Sequence, residues 1–363
     1  MKITSLHLRN YRNYENAEVN FSEGMNVILG NNGQGKTNLL ESLVYLSLTR
    51  SFRISDDRKL IRTDQPFADL RCSFTDERER SVEAVIHPAG KTLLVDKHPV
   101  KKSSDFVGQL NVTLFSPDDL YLFQEQPRAR RRLVNQEITK ISLPYLHALN
   151  RYQNFLKERN YMLKSMRMDM VYLNTLDSRM AEEEAVIIQE RKAFCDFINE
   201  TMPGIYKDLS ETEAEASLKY RCCIDPENIS KEAVLHMHEE SREKDMEYHA
   251  TSSGIQREDF IFELDGKNMT ETASQGQKRM VMLAFRMSLS EYIRKRTGNT
   301  PVLLLDDVLS ELDLLRQAKL LEMASKAQQC LITTTHIPSF MENLPMKRFF
   351  IENGMIRNME VTE

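Results

Sequence analysis

Apolar and polar positions alternate from Ile3 to Leu8 and from Ala17 to Phe21, around a polar turn at Arg12-Asn13-Tyr14, which predicts two half-buried strands. Met25 to Leu29 is a short apolar run ending at Gly30 and predicts a buried strand. From Lys36 to about Leu48 the period becomes helical, with Leu39, Leu40, Leu43 and Leu46 or Ser47 on the inner face. Phe67 to Phe74, Ser81 to His87 and Lys91 to Val95 return to strand patterns. From Pro127 the spacing is helical again: Leu133, Ile138 and Ile141, then Leu146, Leu149, Tyr152, Leu156, Met162 and Met166, broken once at Pro144. Asp177 to Asn199 repeats that pattern, but no heptad is sustained, so a long coiled-coil arm is not expected. Ala214 to Cys223 and Asp259 to Leu264 read as strands and Gln275 to Arg296 as a helix. Val302 to Leu305 reads as a strand, Leu314 to Gln328 as a helix, Cys330 to Thr335 as a core strand and Phe349 to Asn353 as an edge strand. No internal repeat interrupts this order.

Two chemical motifs give the order a meaning. Gly30-Asn31-Asn32-Gly33-Gln34-Gly35-Lys36-Thr37 matches the phosphate-binding pattern G-x-x-x-x-G-K-[ST], between a strand and a helix as that pattern requires. Glycines let the backbone curl so that successive N–H groups face phosphate oxygens, and the following helix, through Asn38, adds its positive end. Lys36 is the residue to reach the β- and γ-phosphates, and the Thr37 hydroxyl to take a magnesium site. Far downstream, Val302 to Leu305 delivers Asp306 and Asp307 to a strand end. Burying two carboxylates there would be costly without a cation. Asp306 is accordingly assigned to Mg2+ and Asp307 to polarising the attacking water. The chain is thus expected to bind ATP with Mg2+ and hydrolyse it. The two motifs must meet in space, so the fold expected is α/β: a split head built from residues 1–120 and 251–363, with a mainly helical lobe, 121–250, inserted.

Composition narrows the class. The 363 residues carry ordinary hydrophobic content and abundant charge, as in a soluble globular protein. Met1 to Asn10 lacks the apolar core of a signal peptide, and no apolar run approaches a membrane span. The cysteines Cys72, Cys195, Cys222, Cys223 and Cys330 have no C-x-x-C spacing, which favours reduced thiols in the cytoplasm; Cys222-Cys223 reads as strand packing in preference to a metal site. Net charge is −5, but it is polarised: Tyr121 to Met170 holds 10 Lys and Arg against 4 Asp and Glu, whereas Asp177 to Ala250 holds 9 against 19. The basic block offers Arg128, Arg130, Arg131, Arg132, Arg151 and Lys157 as phosphate contacts for non-sequence-specific DNA binding. The alternative is that these arginines stabilise helix ends or pair with the acidic block. His236 and His238 read as surface residues.

Ser274-Gln275-Gly276-Gln277 opens a helix upstream of the carboxylate strand, an order that resembles the ABC-type ATPases, whose signature begins with Ser and Gly. Ser310-Glu311-Leu312-Asp313 resembles the D-loop of that class through Ser310 and Asp313, and His336 its switch histidine. The resemblance implies catalysis by Asp307, Lys36 and His336, and ATP shared head to tail between two protomers, the signature of one facing the P-loop of the other.

A narrower resemblance follows. Leu8-Arg9-Asn10-Tyr11-Arg12-Asn13-Tyr14, Glu41, Arg50-Ser51-Phe52-Arg53, Phe115 to Leu120 with Arg131-Arg132, Lys157 to Asn160, Ser274 to Arg279 and Leu304 to Asp313 together resemble the RecF family of bacterial gap-repair ATPases. The likeness covers nearly the whole chain. It implies an ABC-type head related to those of SMC proteins, an ATP-dependent homodimer on single- and double-stranded DNA at gaps and junctions, and slow hydrolysis. It also implies action with RecR, and in concert with RecO, in loading RecA at gaps carrying bound single-strand-binding protein. Two positions depart from the family pattern: Gly254-Ile255-Gln256-Arg257-Glu258-Asp259 stands where the family usually has Gly-Pro-His-Arg-Asp-Asp, and Asn135 where it usually has Asp. A transporter ATPase subunit is the rival reading, but its two nucleotide motifs lie closer together. A nuclease-coupled ATPase would need a further metal-binding domain beyond the last core strand, for which the sequence shown has no room. An ATP-binding scaffold without turnover is separated from the leading reading by the behaviour of Asp307.

Overall fold

The computed structural model describes residues 1–124, 126–165, 169–325, 327–341 and 344–362, so the expected helical position Met166 lies outside the described residues. The chain divides into two compact units: residues 1–120, 205–212 and 279–363, and residues 121–204 and 213–278.

The first unit contains two six-stranded sheets. One is antiparallel, in the order Tyr14–Asn20, Lys2–Tyr11, Ala68–Thr75, Glu79–His87, Gly90–Val95, His98–Pro99. Its alternation sends one face to the core, as half-buried strands do. A register shift between Ile3 and Ser5 explains why Ile3, Leu6 and Leu8 are all buried although Ile3 and Leu6 are out of phase. The other sheet runs Met355–Thr362, Met346–Glu352, Gly24–Leu29, Gln329–Thr334, Val302–Asp306, Val112–Phe115. Its last five strands are mutually parallel. Parallel strands are covered on both faces and read as continuous apolar runs, and Val302–Asp306 and Gln329–Thr334 are buried at every position. The helix Lys36–Leu48 adds Leu39, Leu40, Leu43 and Leu46 to one core with both sheets. Phe349 lies in that core: Met346–Glu352 pairs with Gly24–Leu29 on one side and Met355–Thr362 on the other, so the expected edge strand is an inner one.

The second unit combines the helices Pro127–Thr139, Leu143–Leu163 and Lys231–Tyr248 and most of the long helix Met170–Ser210 with a three-stranded antiparallel sheet, Lys267–Asn268, Asp259–Leu264, Ala216–Arg221. Pro144 falls in the first turn of its helix, where its missing N–H costs nothing. The domain boundary expected at residue 250 shifts to 278. Asp259–Leu264 hydrogen-bonds residue by residue to Ala216–Arg221, which holds 251–278 in this unit. The helix Lys231–Tyr248 has no apolar stripe to announce it: its buried residues are Val234, His238 and Asp245. His238 is therefore a core residue and not a surface one, paired at 2.5 Å with buried Glu184. Arg159, fully buried, bonds Asp177 and Asp245 at 2.6 Å each and Thr251 at 2.9 Å. Charges so deep persist only when paired. Among the described residues no helix is long and apolar enough to cross a membrane.

Candidate nucleotide-binding site

The strand Gly24–Leu29 hands the chain to the loop 30–35 at the carboxyl edge of the parallel sheet. The same edge receives Asp306, since Asp306 pairs with Thr333 and Thr334 with Leu29. Ligand sites of parallel sheets lie at this edge. The loop's conformation is one that glycine alone supplies. Gly35 has φ +119°, and a Cβ there would lie 2.6 Å from Asn13 Nδ2; a Cβ on Gly30 would lie 2.4 Å from the Ile351 carbonyl oxygen.

The Lys36 ammonium folds back over the loop, donating to the carbonyls of Gly30 at 2.6 Å and Asn31 at 3.1 Å, and to Asn32 Oδ1 at 3.4 Å. Burial pulls its pKa down, and the charges of Asp307 and Asp306 work the other way. Thr37 Oγ1 donates to Asp306 Oδ1 at 3.0 Å, and Thr333 Oγ1 donates to the same oxygen at 2.7 Å. Burial raises the Asp306 carboxyl above its ordinary range, against the two hydroxyl hydrogen bonds. Asp307 sits in the left-handed region at φ +51°, its N–H donating to the carbonyl and hydroxyl of Thr333. Its Oδ1 is buried and has no hydrogen-bond partner among the described residues. Asn32, Gly33, Gly35, Lys36, Thr37, Asn38, Arg53, Asp306 and Asp307 line one cleft. Motifs some 270 residues apart thus converge.

The donor set fits a magnesium ion. Thr37 and Asp306 offer hard oxygens, which Mg2+ prefers, and the orphaned Asp307 oxygen is a buried acceptor still to be satisfied. The lysine, the hydroxyl, the glycine N–H groups and the two carboxylates are what a triphosphate with its cation requires.

Three features of the cleft were not legible in the motifs. Arg53 lines it and donates to Asn38 Oδ1 at 3.1 Å. The Arg12-Asn13-Tyr14 turn braces the loop: Asn13 Nδ2 donates to the Gln34 carbonyl at 2.8 Å and Tyr14 Oη to the Gly35 carbonyl at 2.9 Å. Arg12 makes a bidentate pair with buried Glu41, which also accepts from Ser51. Finally, the turn Asn353-Gly354 closes from the other side. Asn353 N–H donates to Gln34 Oε1 at 2.6 Å, so the Gln34 side chain faces this turn. Gly354 has φ +74°, and a Cβ there would stand 2.4 Å from the Asn13 carbonyl oxygen. Gly354→Ala is expected to cost ~1–3 kcal/mol through that strain and to weaken nucleotide binding several-fold, read by denaturant unfolding and by ATP-analogue titration. Unchanged nucleotide binding in a destabilised protein would show that the brace does not set the loop.

The remaining expected residues are placed as follows. Ser274 and Gln277 form a reciprocal capping box: Ser274 Oγ accepts from Gln277 N–H at 3.2 Å, and Ser274 N–H donates to Gln277 Oε1 at 2.9 Å. Ser274, Gln275, Gly276 and Gln277 are all exposed. Ser310 Oγ donates to the Asp307 carbonyl at 2.8 Å. Asp313 accepts from the Arg316 N–H and guanidinium, which hold its carboxyl below the usual range. His336 is exposed, two residues beyond the strand Gln329–Thr334, and is not among the cleft-lining residues. The arginine block is largely committed inside the second unit. Arg130 forms a bidentate pair with Asp259, Arg131 donates to the Glu258 carbonyl, and Arg151 forms a bidentate pair with Glu183. Of the six expected phosphate contacts, Arg128, Arg132, Arg151 and Lys157 are exposed, and Arg130 and Arg131 are half-buried.

Comparison with known proteins places this geometry in a family. The family model described as RecF/RecN/SMC N terminal domain matches residues 2–357. The chain is 36% identical over 348 residues to the DNA replication and repair protein RecF of Geobacillus kaustophilus, covering 93% of both chains. It is 35% identical to the RecF of Bacillus subtilis, covering 98% of this chain and 100% of the relative. A solved structure of the recombination mediator protein RecF-ATP superposes with a TM-score of 0.91 at 29% identity, over 99% of this chain and 98% of that one. The chain belongs to the RecF family, with the ABC/SMC-like ATPase fold.

Proposed function

We propose that the chain is an ATP-dependent DNA-binding protein of recombinational gap repair and replication restart, and that ATP hydrolysis resets it. The observation that carries this is the cleft in which Lys36, Thr37, Asp306 and Asp307 converge. In the proposed reaction the loop N–H groups and Lys36 bind the β- and γ-phosphates, and Thr37 and Asp306 hold Mg2+. When bound, the ion would supply neutralisation of the triphosphate charge. Asp307 orients the attacking water and draws its proton.

Several features support a head-to-tail dimer. The capping box spends the Ser274 hydroxyl on Gln277 while Gly276 stays open to solvent, and the helix after Asp313 begins with exposed Leu314 and Leu315. Exposed apolar side chains and an open signature-like helix start each suit a second copy that brings its own bound nucleotide. ATP then closes the dimer on DNA and hydrolysis opens it. For DNA we retain the exposed Arg128, Arg132, Arg151 and Lys157 as phosphate contacts, without sequence preference. By likeness to its relatives the chain acts in the cytoplasm with RecR and RecO to help RecA load at gaps.

The test is light scattering of the purified protein with and without ATP and magnesium, on gapped duplex at two salt concentrations. The expected result is an ATP-dependent doubling of mass that persists on DNA and weakens with salt. A monomer indifferent to ATP and DNA would leave the cleft standing and remove the clamp.

A further inference from the structure

The second unit carries a donor cluster unconnected with the nucleotide cleft. Arg221 lies opposite Asp259 at the end of an antiparallel pair. One step beyond that register, Cys222 and Cys223 come to Glu258. Cys222 Sγ lies 3.4 Å from Glu258 Oε1, and the Cys223 N–H donates to the same oxygen at 3.2 Å. The two sulfurs and a carboxylate oxygen lie within 4.8 Å of one another. The carboxylate is oriented from its far side. Glu258 Oε2 accepts from Arg191 Nη1 at 2.5 Å and from Tyr220 Oη at 2.6 Å, which leaves Oε1 turned to the thiols.

The other three cysteines show what a packing role looks like. Cys72, Cys195 and Cys330 are buried, and burial drives their thiols up. Cys222 and Cys223 are half-buried and free. They face each other and a fixed carboxylate. Two adjacent thiols and an immobilised oxygen on a neighbouring strand are the donors that a d10 divalent cation takes without directional preference. Coordination would release two thiol protons, so the two thiolates offset the added charge beside Arg191.

We infer that Cys222, Cys223 and Glu258 form a binding site for a borderline-soft divalent cation of the zinc class, with two thiolates and Glu258 Oε1 as donors and water at the fourth, half-exposed position. The site staples the ends of strands Ala216–Arg221 and Asp259–Leu264. Because magnesium prefers all-oxygen sites, the ion at Thr37 and Asp306 does not compete for it.

The experiment titrates the reduced, chelator-stripped full chain with Cd2+ in excess Mg2+, following the thiolate-to-cadmium charge-transfer absorbance and the number of thiols open to a maleimide. The expected result is one Cd2+ per chain, with two thiols protected and Zn2+ displacing the signal. The double variant Cys222→Ser/Cys223→Ser should lose the band entirely. Glu258→Gln should keep both thiols yet weaken binding about tenfold or more. Glu258 also serves Arg191, so Cys222→Ser alone, at a half-exposed position, is the control for folding. It should retain the wild-type circular dichroism and lose the bound ion. No band in the wild-type chain, or an equal band in the double variant, overturns the site. Nucleotide titration of the same samples reads the P-loop independently, so failure of either proposal leaves the other visible.

Discussion

Lys36→Ala is expected to lower ATP affinity by two to four orders of magnitude. The ammonium reaches across the loop and already touches two loop carbonyls at hydrogen-bond distance. Charge-assisted hydrogen bonds from such a group to phosphate oxygens contribute roughly 1.5–3 kcal/mol each, and every 1.4 kcal/mol is about tenfold in affinity. Two such bonds give the expected range. Stability should change much less. The Gly30 and Asn31 carbonyls lose a donor, but they belong to a loop beside an open cleft where water can take its place. Titration with a fluorescent ATP analogue gives the affinity, and denaturant unfolding in the same buffer separates binding from folding. The ATP-dependent dimer and retention on DNA should disappear together. If Lys36→Ala still dimerised with ATP, the shared-site reading would be wrong while the cleft geometry stood.

How much of this was legible in the chain follows from the distances over which each feature is encoded. The P-loop and the Asp306-Asp307 strand end were legible because their chemistry is local. A glycine loop, a lysine and a buried strand ending in carboxylates carry their own constraints within a few residues. The braces on the loop were not, since Gln34 meets Asn353 across 319 positions and nothing at either place announces the other. The strand expected at Phe349 to Asn353 gave no sign of its neighbours, since its position beside Gly24–Leu29 is set by topology. The helix Lys231–Tyr248 and buried His238 were missed for one reason: their burial rests on paired polar groups and not on an apolar stripe. The same physics left two readings of the basic block open. Density of arginine along the chain does not say which guanidinium groups face solvent, and Arg130 and Arg131 are satisfied by Asp259 and the Glu258 carbonyl.

The two departures from the family pattern prove to be one structural matter. Arg191 is fully buried and receives both: Nη2 donates to Asn135 Oδ1 at 2.8 Å and Nη1 to Glu258 Oε2 at 2.5 Å. Tyr145 Oη completes the group, donating to Asn135 Oδ1 at 2.7 Å and lying 3.1 Å from Arg191 Nε. An Asp at 135 would place a second carboxylate on the same guanidinium. With Asn, Glu258 is the paired carboxylate and Asn135 supplies a neutral acceptor. Of the two other substituted positions, Ile255 offers its carbonyl to Arg191 Nη1 at 3.2 Å, and Gln256 bonds Tyr152 Oη through Oε1 and the Ser253 carbonyl through Nε2. The departures thus lie in the second unit, and none of them is among the residues that line the nucleotide cleft.

Asp307→Asn is expected to bind ATP as the parent does, to dimerise, and to lose turnover by about two to four orders of magnitude, the usual contribution of a positioned general base. The substitution is nearly isosteric. The contacts shown to hold this residue in place run from its main-chain N–H to Thr333, so they survive the change. Asn also tolerates the left-handed backbone that φ +51° imposes, which most side chains do not. What is removed is the charge and basicity of a buried oxygen that has no hydrogen-bond partner among the described residues. Lys36 and Asp306, the groups assigned to phosphate and cation, keep their own contacts. Removing one negative charge from the cleft should leave a polyanionic ligand bound equally well or more tightly. Binding and hydrolysis therefore part company in this variant, whereas Lys36→Ala removes both. Single-turnover phosphate release gives the chemical step, and light scattering gives the lifetime of the ATP-bound dimer, which should lengthen in proportion to the lost rate. Unchanged phosphate release would take the base assignment away from Asp307. Lost release with a dimer no longer-lived than the parent's would show that hydrolysis does not open it.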